Sequence, residues 1–195
     1  MLTRGIAPKQ VLFTQSLTGT PDRHSLTHSF MTNQEVAQEL VRQFGDYITD
    51  LDEPFDLLTF TTTREQLIPM LQYLKDHKTY KLSFLTDLTG VHYPDNAGQE
   101  FCVVYHVHSL VNNFRVRIKV FLAEADIHIP SATVLYSSAN WMERETFDFF
   151  GILFDGHPNL TRILNMEEMD YFPMRKQYPL EDGTREDKID ALFGR

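Results

Sequence analysis

The sequence predicts an α+β fold, a single domain with helices packed on a mainly antiparallel sheet and followed by an extended C-terminal tail. Three observations carry this. Two stretches have helix-period apolar residues behind capping signals. Three consecutive β-like runs are joined by turn residues. A final aromatic-rich helical segment gives way to a proline-interrupted stretch without periodicity. The expected divisions are an N-terminal leader or arm over residues 1–31, the α+β domain over 32–156 and a partner-docking tail over 157–195.

The first helix starts at Thr32, three residues before Glu35, in capping-box spacing. Val36, Leu40, Val41 and Phe44 then share one face, and Gly45 can take the left-handed position that ends it. Residues 55–60 read as a strand. Thr62 and Glu65 repeat the capping-box spacing ahead of Leu67, Ile68, Leu71 and Leu74, a second apolar stripe ending near His77. β-like runs follow over 81–88, 101–110 and 114–122, with a loop at 90–98 rich in turn residues. Asn112 and Asn113 suit a hairpin turn because Asn tolerates positive φ. In the third run Phe114, Val116, Ile118 and Val120 alternate with Arg115, Arg117 and Lys119, as in a half-buried antiparallel strand with a basic stripe on its exposed face. The third helix spans Ala139–Phe150, capped by Ser137 or Ser138 and ended by Gly151.

Composition excludes several function classes. Hydrophobic residues make up 42% of the 195, enough for a sizeable core. With 18 basic against 27 acidic residues the net charge is −9, which disfavours nucleic acid and anionic membrane surfaces. The lone Cys102 can form no internal disulfide and cannot supply the thiolates of an iron–sulfur cluster. Unbroken apolar runs fall far short of the roughly 20 residues of a membrane span. Residues 1–30 contain one acidic side chain, Asp22, and only a faint transit-peptide character, with Gly5 and Pro8 interrupting any amphipathic helix.

Motif tests narrow the chemistry further. His106 and His108 point to one face of a strand but lack a third ligand at motif spacing, so no metal site is expected. Gly151 and Gly156 have P-loop spacing, yet His157 and Pro158 stand where Lys and Ser/Thr are needed. No dinucleotide-binding glycine pattern occurs. Glu143 and Glu145 diverge by about 200° on a helix and cannot share one acid–base site. Arg144 and Asp148 have the i, i+4 spacing of a helical ion pair. Aromatic residues around the girth of this helix point to burial on several sides or docking onto another chain. In the tail, Arg175 and Lys176 are flanked by Phe172, Met174, Tyr178 and Leu180, the makeup of an arm laid along a partner.

The segment from Ala139 to Leu164 closely resembles the signature of the C subunit of NADH–quinone oxidoreductase, respiratory complex I, which reads E-R-E-x-[YF]-D-[LM]-[FY]-G-I-x-F-x-G-H-P-[DN]-L-R-R-I-L. The stretch Phe172-Pro173-Met174-Arg175-Lys176-Gln177-Tyr178-Pro179-Leu180 is similar to the family's later G-x-P-x-R-K-D-[FY]-P-L. Thr161, Tyr171 and Gln177 depart from Arg, Gly and Asp of the pattern. The specific resemblance covers about residues 81–180. It implies a cofactor-free subunit in the peripheral arm of a proton-translocating complex on the cytoplasmic side of the bacterial inner membrane. FMN and iron–sulfur clusters would lie in partner subunits, and the complex's D subunit would be the chief neighbour. It also implies partner contacts through Trp141, Glu143, Arg144, Glu145, Asp148, Gly151, Gly156, His157, Pro158, Arg162, Arg175 and Lys176, with no catalytic residue in the chain. A similar subunit of a membrane-bound hydrogenase is one alternative. Another is a stand-alone soluble enzyme using Glu143, Glu145, Asp148 or His157.

Overall fold

A computed structural model describes residues 32–179; the expected arm at 1–31 and the end of the tail lie outside them. Helix α1, Asn33–Phe44, opens with the expected box: Thr32 Oγ1 accepts from the Glu35 N–H, and the Glu35 carboxylate accepts from the Thr32 N–H. Its buried face is Val36, Ala37 and Leu40, while Val41 stays 45% exposed. Helix α2, Arg64–Asp76, buries Leu67, Met70, Leu71 and Leu74. Its N-cap is Thr63, one residue later than expected, because Thr62 is the last residue of a strand.

Five strands form the main sheet in the order β1-β2-β5-β4-β3. They are β1 (Thr49–Asp52), β2 (Leu58–Thr62), β3 (Phe84–His92), β4 (Phe101–Ser109) and β5 (Phe114–Leu122). Pairing is antiparallel except between β2 and β5. The expected α+β class therefore holds. The β4–β5 turn closes Ser109 onto Phe114, and Asn113 has φ +50° as its residue type allows. Several strand boundaries move; β3 starts at Phe84 rather than 81, and β2 runs on to Thr62. The expected strand at 55–60 begins at Leu58, because Phe55 and Asp56 both have positive φ. The strand expected to stop near 88 continues through Gly90 to His92, since an extended glycine there leaves room for a ring on the neighbouring helix.

That helix is α3, Ala139–Phe150, at the bounds the sequence indicated, ended by Gly151 at φ +79°. A Cβ on Gly90 would lie 2.7 Å from the Phe150 ring. A two-stranded parallel sheet of β6 (His128–Pro130) and β7 (Leu153–Asp155) flanks α3; its three-residue strands are too short to show a period in the sequence. One core joins the sheet to all three α-helices of the described residues. It runs from Leu58, Phe60, Tyr105 and Ile118 to Leu40, Leu71, Ala139 and Phe150. Each fully buried Leu or Phe there contributes about 1.5–3 kcal/mol.

Candidate functional site: the third helix and the segment clamped to it

A helix leaves its last four carbonyls without intrahelical donors. In α3 these are on Phe147, Asp148, Phe149 and Phe150, and each is satisfied. The Gly151 N–H donates to Phe147 O (2.8 Å). Arg162 Nη1 donates to Asp148 O (3.0 Å) and the Met174 N–H to Phe149 O (3.2 Å). Arg175 Nε donates to Phe150 O (2.8 Å). Three of the four donors come from residues 162–175, and two of them carry positive charge where the helix dipole favours it. The described part of the tail is thus folded back onto α3. Prolines and absent periodicity made it look dependent on a partner. The helix end supplies its hydrogen bonds instead.

Asp148 is the centre of the clamp. It is fully buried. Its Oδ2 accepts from the backbone N–H groups of Ile163 (3.1 Å), Leu164 (2.8 Å) and Asn165 (2.9 Å). Its Oδ1 accepts from Arg162 Nη1 (2.7 Å) and Asn165 Nδ2 (3.1 Å). Burial alone would raise its pKa. The Asn165 and Leu164 N–H groups, Arg162 and the Asn165 amide outweigh burial and hold it well below the usual carboxylate range. Arg162 also donates to Met169 O (2.7 Å) and Tyr171 O (3.0 Å) and lies 5.0 Å above the Phe172 ring. Arg175 sits 4.9 Å from both the Phe101 and Phe172 ring centres. The Lys176 N–H donates to His92 Nδ1 (3.0 Å), on a ring whose pKa is lowered by burial and then by Arg175.

The expected Arg144–Asp148 pair does not form, because Asp148 is taken by the tail. Arg144 instead donates through Nε to Thr161 O and through Nη2 to Arg162 O (both 3.0 Å), and lies 5.1 Å over the Trp141 ring. The His157 Nε2–H donates to Asn140 O (3.0 Å), while its Nδ1 accepts from the Asn159 N–H (3.0 Å). That fixes one tautomer and holds the start of the tail at the other end of α3. Gly151 and Gly156 turn the chain at φ +79° and +83°. A Cβ on Gly151 would meet Phe172 at 2.6 Å.

Glu143 cannot be a partner contact, for it is fully buried. It accepts from Ser131 Oγ (2.6 Å) and the Ala132 N–H (2.7 Å), tying the preceding turn to α3. Burial pushes its pKa up to about 7, against the pull of those two donors. Of the expected docking residues, Glu145, Gly156, Pro158, Lys176 and Trp141, the last 61% exposed, face solvent. In the tail, Leu164 (64%) and Met166 (69%) are exposed as well. Sequence reasoning missed Ser131, His92 and Asn165 as parts of the site, and it assigned Phe172 to a partner where the ring packs against Phe147, Arg162 and Arg175.

This clamp is built from the residues of the E-R-E…G-H-P signature, and comparison with known proteins gives the signature its context. Residues 60–184 match the family described as "Respiratory-chain NADH dehydrogenase, 30 Kd subunit". The chain belongs to this family. The C subunit of the NADH-quinone oxidoreductase of Citrifermentans bemidjiense is 42% identical over 156 residues, covering 79% of this chain and 94% of that one. The corresponding C subunit of a Nocardioides species is 47% identical over 123 residues, 63% of this chain. The match spans 49% of that longer relative, and the same share of the Streptomyces coelicolor C subunit, which is 44% identical. Among solved structures, the trypsin-resistant fragment of Nqo5 superposes with a TM-score of 0.57 at 31% identity, covering 66% of this chain and 100% of the fragment. A chain of an archaeal membrane-bound sulfane sulfur reductase shares the fold, with a TM-score of 0.63 at 20% identity. In this member of the 30 Kd family, then, some signature residues hold the preceding turn and the tail onto α3, and others are exposed at the surface.

Proposed function

We propose that this chain is a structural, cofactor-free subunit of the peripheral arm of a proton-translocating NADH–quinone oxidoreductase. In this reading FMN and iron–sulfur clusters of partner subunits carry electrons from NADH to quinone, and this chain supports their assembly. Its chief neighbour is the D subunit, met by the outer surface of α3 and the clamped segment. The complex holds the chain at the cytoplasmic side of the inner membrane. No helix among the described residues is long and apolar enough to cross a membrane.

The observation that carries the reading is how the signature is used. Asp148, Arg162, Arg175 and His157 close the clamp from within. Trp141, Leu164 and Met166 are left as large apolar side chains on its outside. Exposed aromatic and aliphatic residues held rigid from behind are what an interface anchor needs. A stand-alone enzyme fits the geometry less well, because Glu143, Asp148 and His157 each have their polar atoms engaged in separate hydrogen-bond sets, and Glu145 is exposed on the helix surface apart from them. A related membrane-bound complex is supported by likeness of fold alone, through the archaeal sulfane sulfur reductase chain.

The test is affinity purification of the tagged chain from detergent-solubilised membranes, with mass spectrometry and NADH–quinone reductase assay of what is retained. The expected result is a multi-subunit quinone reductase containing the D subunit. Trp141→Ala should leave the circular dichroism of the free chain unchanged yet weaken retention by about 2 kcal/mol or more, the scale of an interface anchor. Recovery of the chain alone, or with an unrelated complex, would overturn the proposal.

A further inference from the structure

All three described α-helices cover one face of the main sheet, and the opposite face carries the basic stripe of β5. Register makes this plain. On β4, His108 pairs with Arg115, His106 with Arg117 and Val104 with Lys119. On β2, Thr59 pairs with Arg117 and Thr61 with Lys119. Arg115 is exposed and Arg117 and Lys119 half-buried, and among the described residues none of the three has a carboxylate within 4.0 Å. The ridge spans about 13 Å at ~3.3 Å per strand residue. Acidic groups reach this face from the flanking strands, Asp87 on β3 and Asp52 on β1. Asp87 lies 3.4 Å from His106 Nδ1. His106 Nε2 accepts from Arg117 Nε (2.8 Å), and burial followed by Arg117 lowers the His106 pKa, so the imidazole does not add to the ridge.

Two further features lie beside the ridge. His108, only 9% exposed, has a buried Nε2 without a hydrogen-bond partner, an unmet need next to Arg115. Phe55 is 99% exposed at φ +57°, a conformation costly for a bulky residue, and it lines a cleft of about 340 Å³ together with Pro54, Phe114, Arg115 and Arg117. A fully wet phenylalanine in a strained turn gains nothing in the free chain. A partner's apolar side chain against it would.

We propose that this open sheet face docks an extended acidic segment of a neighbouring polypeptide, its carboxylates on Arg115, Arg117 and Lys119 and an apolar side chain against Phe55. Charge complementarity selects that occupant. A net charge of −9 on the whole chain repels a polyphosphate, whereas a short acidic segment meets only the local ridge. β5 is paired on both sides, so the segment crosses the face through side chains and adds no strand. The surface is distinct from the outer side of α3, and the inference does not depend on which complex the chain serves.

Lys119 gives a direct test. A carbodiimide joins a lysine Nζ to a carboxylate only when the two are in contact, so cross-linking of the native assembly followed by mass spectrometry reads the occupant. The expected product links Lys119 to an Asp or Glu of another polypeptide and vanishes in Lys119→Arg. Acetylation of Lys119 should also fall by about tenfold between the free full-length chain and the assembly, as interface burial excludes the reagent. Equal acetylation in both states would overturn the proposal. So would cross-links confined to this chain's own carboxylates, or protection that a nuclease removes. If the chain purifies in a quinone reductase with Lys119 unprotected, only this inference fails. If it purifies in another assembly with Lys119 cross-linked, the proposed function fails and this inference stands.

Discussion

Replacing Glu143 with Gln should abolish a pH dependence of stability that the fold builds in. The carboxyl is fully buried and faces the Ser131 hydroxyl and the Ala132 N–H, with no cation among its hydrogen-bond partners. Its pKa rises from an ordinary 4.5 to about 7. The folded state therefore holds this proton more tightly than the unfolded chain does. The associated stability is fully present below pH about 4.5 and is lost as pH rises to about 7, beyond which it changes no further. At ~1.4 kcal/mol per pH unit the interval amounts to about 3 kcal/mol. Gln mimics the protonated form. Its oxygen can accept from the Ala132 N–H, and its amide can donate to Ser131 Oγ, which is free to donate to Thr133 Oγ1 at 2.6 Å. Denaturant unfolding of wild type and Glu143→Gln at pH 5, 6, 7 and 8 cancels every other titrating group in the difference. The gap should move in favour of Gln by about 2–3 kcal/mol between pH 5 and 8, since part of the interval lies below pH 5. A gap independent of pH would refute the reasoning, for it would mean that the two donors compensate the buried charge.

Two further expectations concern the clamp. Asp148→Ala leaves three backbone N–H groups, the Asn165 amide and Arg162 without their acceptor. Stability should fall by about 3 kcal/mol, since each bond to a charged group is worth ~1.5–3 kcal/mol and the released segment recovers part of that from water. Trypsin should then cut after Arg175 and Lys176 much faster than in wild type, and unchanged cleavage would show that Asp148 does not hold the segment. In the wild type the depressed pKa of Asp148 means its contribution is present above about pH 4 and is lost as pH falls below that. Gly151→Ala and Gly90→Ala should each cost about 1–3 kcal/mol, the first through positive φ and the Phe172 contact, the second through overpacking against Phe150. Melting midpoints within experimental error of wild type would contradict both.

What the sequence determined by itself was most of the local structure, the features set by near neighbours along the chain. The Thr32–Glu35 box, the β4–β5 turn at Asn113 and the run of α3 to Gly151 follow from capping, positive-φ tolerance and helical period, which act over a few residues. The signature was legible too, and with it the family. Tertiary structure decided what those residues do. Arg144 and Asp148 are spaced for each other on a helix, but such a pair is worth only tenths of a kcal/mol. Asp148 instead collects five hydrogen bonds from residues fourteen to seventeen positions away, a far larger return that no local pattern encodes. The same reason explains the tail, whose order comes from the unsatisfied end of α3, and Glu143, whose burial is set by a turn eleven residues upstream. It also explains the basic stripe of β5. Alternation in the sequence marked one face of the strand as polar, but only the placement of every described helix on the other face left that stripe open.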